Sequence, residues 1–322
     1  MCQNRLQKTL INTMKRQTVF ACLLAVLAAG CSGSDNDEPT PKPEDRIPRQ
    51  LTVKEMDTSP NEGRLEVAFP DTRATLDESG NTLQAAWKES DPLTCFNLSN
   101  PESENYMLTA DNVGSISTFS GTVKCWSGDN LVIVYPRADF ISYGNFNASY
   151  TITLSGQNGD LTTLASNFHY VYGVAKVNSV DGSTANATMA KMKSLLAVCK
   201  FSFKEKGSDD LIPVSNLTIG YAVDGQGGDT GTYPQSATVT VEYNNEHNIF
   251  QATVNSSTST SPLTVNLGSS STEVYVALLP TNGSRTLKFT INDTYTATAT
   301  ANLGEGKYYP VTLYVNKNNN NP

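Results

Sequence analysis

The sequence predicts an all-β chain built as two tandem β-sandwiches, and three observations carry that expectation. Apolar residues alternate with period two in one segment after another, turn residues separate those segments at short intervals, and long stretches of helical periodicity are missing. The alternation is plain at Leu65, Val67, Phe69; at Tyr150, Ile152, Leu154; at Leu195, Ala197, Cys199, Phe201, Phe203; and at Leu217, Ile219, Tyr221, Val223. It returns at Val239, Val241, Tyr243; Leu263, Val265, Leu267; Leu287, Phe289, Ile291; and Tyr309, Val311, Leu313, Val315. Such a pattern marks a strand with one buried and one wet face. Residues 131–135 and 274–279 are apolar on both sides and are expected as central strands.

Turn chemistry fills the gaps: Glu78-Ser-Gly80, Ser127-Gly-Asp129, Gln157-Asn-Gly-Asp160, Asp224-Gly-Gln-Gly-Gly-Asp229 and Asn282-Gly283. Only residues 189–196 offer room for a helical turn or two. Residues 178–190, with Asp181, Gly182, Ser183, Thr184 and Asn186, form a polar break before the strong pattern of 195–203. An N-terminal sandwich is therefore expected at 50–187, a C-terminal one at 188–317, and a polar tail at 318–322.

The front of the chain reads as export machinery. Lys15 and Arg16 form a basic start, 19–29 is a short apolar run, and Leu27, Ala28, Ala29 and Gly30 lead into Cys31. These are the marks of a signal peptide over 1–30, too short to span a bilayer. Translation starts at Met1 or Met14, since 1–13 add nothing a signal needs. Ala-Ala-Gly before a cysteine resembles the lipobox of bacterial lipoproteins, so Cys31 is the expected lipidation site; the usual Leu sits one place early. Residues 31–49 are acidic and Pro-rich, a composition that cannot bury surface and reads as a disordered tether. Acidic residues just after such a cysteine also resemble the signal that carries lipoproteins to the outer face of the outer membrane. A plain soluble linker is the alternative.

Charge excludes one class of partner. The chain has 23 Lys and Arg against 31 Asp and Glu. Arg5, Lys8, Lys15 and Arg16 leave with the signal, so the mature balance is 19 against 31, or −12. That argues against nucleic-acid binding. Cys95, Cys125 and Cys199 remain once Cys2 and Cys22 have left and Cys31 is acylated. Their spacing matches no metal knuckle. They form one disulfide and a free thiol, or three free thiols.

Catalytic patterns are absent from the sequence. His169 lies in Phe168-His-Tyr-Val-Tyr172 and His247 in Asn244-Asn-Glu-His-Asn248, neither beside a nucleophile motif. There is no Gly-x-Ser-x-Gly, no phosphate loop and no His-Glu-x-x-His. A glycosidase needs only two acids, but no acid here sits in aromatic-rich context, and Trp87 and Trp126 are the only tryptophans. Asp224 and Asp229 could hold Ca²⁺ through loop oxygens, although a hairpin loop explains them. The sequons at Asn97, Asn147 and Asn216 read as chance matches. No enzyme, cofactor or metal is expected.

Five segments, taken in order, resemble the fimbrillin family, the fimbrial subunits of Bacteroidetes-type bacteria. They are Arg64-Leu-Glu-Val-Ala-Phe69 with Asp71-Thr-Arg-Ala-Thr75; Ala85-Ala-Trp87 with Leu93-Thr-Cys-Phe96; Phe119-Ser-Gly-Thr122 with Val134-Tyr-Pro136; Met192-Lys-Ser-Leu-Leu-Ala-Val198; and Gly306-Lys-Tyr-Tyr309 with Val311-Thr-Leu313. The resemblance implies two transthyretin-like sandwiches, export as a surface lipoprotein, trimming by an Arg-specific protease, and assembly with other fimbrial subunits by strand exchange. Arg73–Ala74 lies in a polar link just after 64–69 and is the expected cleavage point. Leu65, Val67 and Phe69 would then be the first strand of the N-terminal sandwich and the strand displaced. Residues 316–322 carry no alternating apolar set, unlike the donor segments of stalk subunits, which points to a tip or accessory role. The expected partners are other fimbrial subunits, the outer membrane through the lipid, and a host or bacterial surface ligand. The alternative is a surface glycan-binding lipoprotein of a nutrient-uptake system. Coplanar exposed aromatics would favour the glycan binder, and an apolar groove under the first strand would favour the pilin.

Overall fold

A computed structural model describes residues 45–56, 75–79, 82–100, 102–142, 146–222, 231–244, 249–258 and 260–317. The all-β expectation holds, with two β-rich layers in tandem. The first is a sheet bonded shut. Around it stand β1 (Pro48–Met56), β6 (Thr118–Lys124), β5 (Asn105–Ala110), β4 (Pro92–Asn97), β7 (Asn130–Tyr135), β10 (Val171–Asp181) and β11 (Thr184–Ala190). β11 pairs with β10 on one side and with β1 on the other, so the seven strands close a ring. The two-residue β12 (Lys193–Ser194) adds to β10. Closure leaves no free ladder along the ring's main seam.

Alternation explains which side chains fill the ring. Leu51 and Val53 of β1, Leu93 and Cys95 of β4, Leu131, Ile133 and Tyr135 of β7, and Ala185, Ala187 and Met189 of β11 all point inward and are buried. Trp87 is enclosed among them, edge-on to Phe119 at 5.0 Å and to Tyr135 at 5.6 Å. Residues 131–135 are buried on both faces, as expected of a central strand: Val132 and Val134 belong to a second apolar cluster outside the ring.

That second cluster fills the other layer. Its main sheet runs β17 (Leu263–Ser271), β14 (Val214–Tyr221), β19 (Arg285–Ile291), β20 (Tyr295–Ala301), β21 (Tyr308–Lys317), β13 (Ala197–Glu205), β18 (Val274–Leu278). A smaller sheet runs β16 (Ile249–Ser256), β15 (Ser236–Asn244), β9 (Asn147–Thr153), β8 (Ile141–Ser142). β9 comes from the first half of the chain and β15 from the second, and they pair over seven residues. One apolar cluster joins Ala148, Tyr150 and Ile152 of β9 to Phe201, Phe203, Ile219, Phe289 and to Phe96 of β4. The hairpin β2 (Thr75–Ser79) with β3 (Thr82–Ala86) contributes Leu76, Leu83 and Ala85 to the same cluster.

Four local expectations change. The polar break at 178–190 is the hairpin between β10 and β11, and a boundary at 187/188 falls inside β11; the chain leaves the ring sheet for the last time between Ser194 and Ala197, β8 and β9 having joined the smaller sheet earlier. Residues 189–196 end β11 and form β12 rather than a helical turn. Among the described residues the helix is α1 (Leu161–Asn167), capped by Asp160, whose carboxylate accepts from the N–H of Thr162 (3.0 Å) and Thr163 (2.8 Å). β18 is the last strand of its sheet, not a central one. Its outer edge is covered by the segment around Gly159, whose carbonyl accepts from Tyr275 N–H at 2.9 Å, and by side chains. Gln157 Oε1 accepts from the N–H of Ala277 at 2.7 Å and its Nε2 donates to Ala277 O at 3.0 Å, while Leu279 N–H donates to the Tyr233 hydroxyl at 2.9 Å. A buried glutamine thus replaces a neighbouring strand, which is why β18 can be apolar on both faces.

The register of β13 makes a direct test. Ala197, Cys199, Phe201 and Phe203 are buried, and Phe201 meets Phe289 at 5.0 Å. Lys204 reaches outward to Asp209. Phe201→Ala should destabilise by about 3–5 kcal/mol and Lys204→Ala by no more than about 0.5 kcal/mol, measured by urea unfolding. Equal losses would mean the register is wrong.

Candidate functional site

The feature with functional content is β1 and the groove that holds it. β1 is hydrogen-bonded on both sides, antiparallel to β6 over seven pairs and parallel to β11 over seven pairs. Its residues alternate exposed and buried without exception along Pro48–Met56. The inward set is Arg49, Leu51, Val53 and Glu55: a cation, two apolar residues and an anion. Leu51 and Val53 are fully enclosed.

The two charges are held by complementary ends of the groove. Glu55 is only 1% exposed. Its Oε2 accepts from Trp87 Nε1–H and from Ser117 N–H, both at 3.2 Å, and its Oε1 accepts from Met192 N–H at 3.1 Å. Those donors come from the end of β3, the approach to β6 and the β11–β12 link. Arg49, also buried, donates from Nε to Gly182 O at 3.1 Å and from Nη1 to Cys125 O. Its guanidinium lies 5.1 Å over the Trp126 ring. Just upstream, Arg46 grips Asp129 with two bonds, Nε to Oδ2 at 3.0 Å and Nη2 to Oδ1 at 2.8 Å. Asp129 also accepts from Asn97 Nδ2 at 2.8 Å and Trp126 N–H at 2.9 Å. Paired and bonded in this way, a buried charge is tolerated; unpaired, it is costly.

These contacts revise the reading of the front of the fold. Arg46 and Arg49 belong to the segment expected as a tether, yet both pack. The first described strand is β1, upstream of the segment 64–69. Leu65, Val67, Phe69, Arg73, Ala74 and Cys31 lie outside the described residues, as do His247 and the Asp224–Asp229 loop. Sequence reasoning missed β1 because only two apolar residues alternate in it, the inward set being completed by charges.

The hairpin immediately downstream of position 74 is pinned separately. Glu78 on β2 accepts from Lys200 Nζ on β13 (3.0 and 2.9 Å), from the Tyr275 hydroxyl on β18 (2.7 Å) and from the Tyr308 hydroxyl on β21 (2.7 Å). Burial pushes the Glu78 carboxyl up, but the hydrogen bonds from Lys200, Tyr275 and Tyr308 outweigh it and hold the group below its ordinary range.

Other candidate sites gain less. His169 is buried. Among the described residues no group of three or more His, Cys, Asp or Glu is placed to hold a metal ion, and no helix is long and apolar enough to cross a membrane. Cys95, Cys125 and Cys199 are all buried and unbridged. Phe146, Tyr243 and Phe250 form an aromatic group beside a cavity of about 480 Å³. Their rings are inclined to one another by 46°, 52° and 60°, which is not the flat platform a sugar ring stacks on.

No family model matches the chain, and no curated protein matches it. Solved structures do. A candidate cell adhesion protein of Bacteroides uniformis aligns over 72% of this chain and 91% of its own, at 17% identity and a TM-score of 0.47. A fimbrial protein of Bacteroides ovatus aligns over 84% of this chain at 12% identity and a TM-score of 0.36, and this chain spans 50% of its length. A shaft pilin of Lactobacillus rhamnosus aligns over 85% of this chain and 99% of its own, at 8% identity and a TM-score of 0.29.

The Glu78 cluster generates a pH test. A carboxyl depressed in the folded state stabilises at pH above its unfolded value, ordinarily 4.5, and that contribution is lost as pH falls through the folded value. The wild type should therefore exceed Glu78→Gln in stability at pH 7, and the gap should close progressively below about pH 4.5. Urea unfolding across that range checks it. A gap that does not change with pH would assign the cluster no charge-dependent role.

Proposed function

We propose that the chain is a structural and adhesive subunit of a cell-surface fimbria, in a tip or accessory position, that it belongs with the fimbrillins, and that protease-triggered strand exchange assembles it with other subunits. The observation that carries the proposal is β1. It is a strand paired on both edges and buried on its inward face; its removal would open a closed sheet along two ladders and bare a groove, and it lies on the N-terminal side of Arg73. A cut after Arg73 would separate β1, together with Leu65, Val67 and Phe69, covalently from the rest. Only noncovalent contacts would then hold it: the ladders to β6 and β11, the inward packing of Leu51 and Val53, and the bonds of Arg46, Arg49 and Glu55. Another subunit's strand can take its place by β-augmentation, restoring both ladders. β2 begins at Thr75, so the hairpin next to the cut stays docked through Glu78. The order of segments that resemble fimbrillins supports the same reading.

Anchoring belongs to the proposal as well. Acylation at Cys31 would hold the precursor at the outer membrane, and the same cut would free the folded part from its lipid. Surface attachment of this kind needs more than one acyl chain. The exposed far end of the fimbria would present the chain to a host or bacterial ligand.

Two experiments test this. Limited proteolysis of the mature protein with an Arg-specific protease should yield one dominant fragment beginning at Ala74, with residues 45–56 co-eluting until denaturant is added. Arg73→Ala should abolish that product and keep the protein out of surface fibres, as seen by immuno-electron microscopy. Fibre entry undiminished by Arg73→Ala would reject the mechanism. Separately, Cys31→Ser should move the protein from the membrane fraction to the soluble one, and wild-type protein without acyl mass on its N-terminal peptide would reject the anchor.

A further inference from the structure

Strand exchange, where it occurs, has to replace more than apolar bulk, and this inference rests on that reading. The inward face of β1 is polarised. Arg49 stands at one end among carbonyl oxygens of Cys125 and Gly182, with Asp129 close by on Arg46. Glu55 stands at the other end among three N–H donors. Trp87, Ser117 and Met192, which supply those donors, are themselves buried. They stay behind when β1 leaves, because all three lie on the C-terminal side of Arg73. The vacated groove is therefore acceptor-lined at one end, apolar in the middle and donor-lined at the other.

We infer that this groove selects its incoming strand by charge order: a cation, two apolar residues and a carboxylate at alternate positions, running parallel to β11. A strand with an apolar residue in place of the carboxylate leaves three buried N–H groups without an acceptor, each a full desolvation penalty. A strand inserted the other way round places its carboxylate among the carbonyls and its cation among the N–H groups, two buried mismatches. Alternation fixes which residues face in, and the charges fix direction and register, which apolar alternation alone leaves open by steps of two. Arg49, Leu51, Val53 and Glu55 satisfy the pattern. Of the 23 Lys and Arg residues in the sequence, only Arg49 has apolar residues two and four places on and an acid six places on. Within these 322 residues, only residues 49–55 carry this order, so the occupant is a strand of this charge order supplied by another subunit.

The test uses the full mature chain with one engineered protease site within 57–74, so that β1 is freed without reliance on Arg73. Labelled peptides of residues 45–56 then compete for the groove of the nicked protein, followed by fluorescence anisotropy. All changes are in the peptide, so folding of the protein is not at stake. The native peptide should displace β1. The Glu55→Gln peptide, which keeps an oxygen and loses the charge, should bind about tenfold more weakly. The Glu55→Leu peptide should bind at least about 100-fold more weakly. A peptide carrying Arg49→Glu with Glu55→Arg, equal in composition, should not displace β1 measurably. Equal displacement by all four peptides would overturn the inference and leave strand exchange standing. Failure of every peptide, the native one included, would overturn both. Cleavage at Arg73 plays no part in either outcome.

Discussion

β1 serves two ladders at once. Its backbone donors and acceptors face β6 on one side and β11 on the other, and its inward side chains complete the packing around Trp87. Everything else in the first layer presumes this double engagement. Without β1, the pairing of β10 with β11 ends at an open edge, Phe119 and Ala187 lose their covering neighbours, and buried carbonyls and N–H groups at both ends of the groove lose their partners. The strand's covalent link to the strands it pairs with runs through the segment 57–74. A structural keystone supplied by a terminal segment is an arrangement in which covalent continuity and structural continuity can be separated.

The second layer is built the opposite way, with its elements tied across the chain. β9 from the first half is sandwiched between β8 and β15, so the smaller sheet contains both halves of the sequence. Glu78 reaches three strands of the main sheet from the β2 hairpin. Gln157 and Tyr233 close the exposed edge of β18. Apolar packing from Phe96 through Tyr150 to Phe289 is continuous. Opening the ring at β1 therefore need not disturb this layer, because its fastenings lie elsewhere and involve residues on the C-terminal side of Arg73.

The sequence made much of this legible where burial is simple. One-sided alternation located β13, β14, β15, β19 and β21, and two-sided apolar character identified β7 as central. It misled at β18, because a side-chain amide can satisfy a strand edge as well as a strand can, and no periodicity reports that. It concealed β11, whose inward Ala185 and Ala187 are too small to stand out beside Thr and Asn. It concealed β1 for a physical reason that matters more. A strand's buried face is read from its apolar residues, and at Arg49 and Glu55 that face is charged. What looked like the end of a polar tether was the most specific part of the groove.

Cys95 and Cys125 face the interior of the ring, and burial keeps both thiols protonated, Cys125 pushed up to about 11. Thiolate is the reactive form, so the closed ring is chemically silent towards oxidants and alkylating agents. Cys199 sits in the other layer and is shielded independently of β1. Cys95 and Cys125 thus share one enclosure and Cys199 lies in another. A thiol-reactive probe applied to the folded chain would therefore report on the two layers separately, through Cys95 and Cys125 for the ring and Cys199 for the other layer.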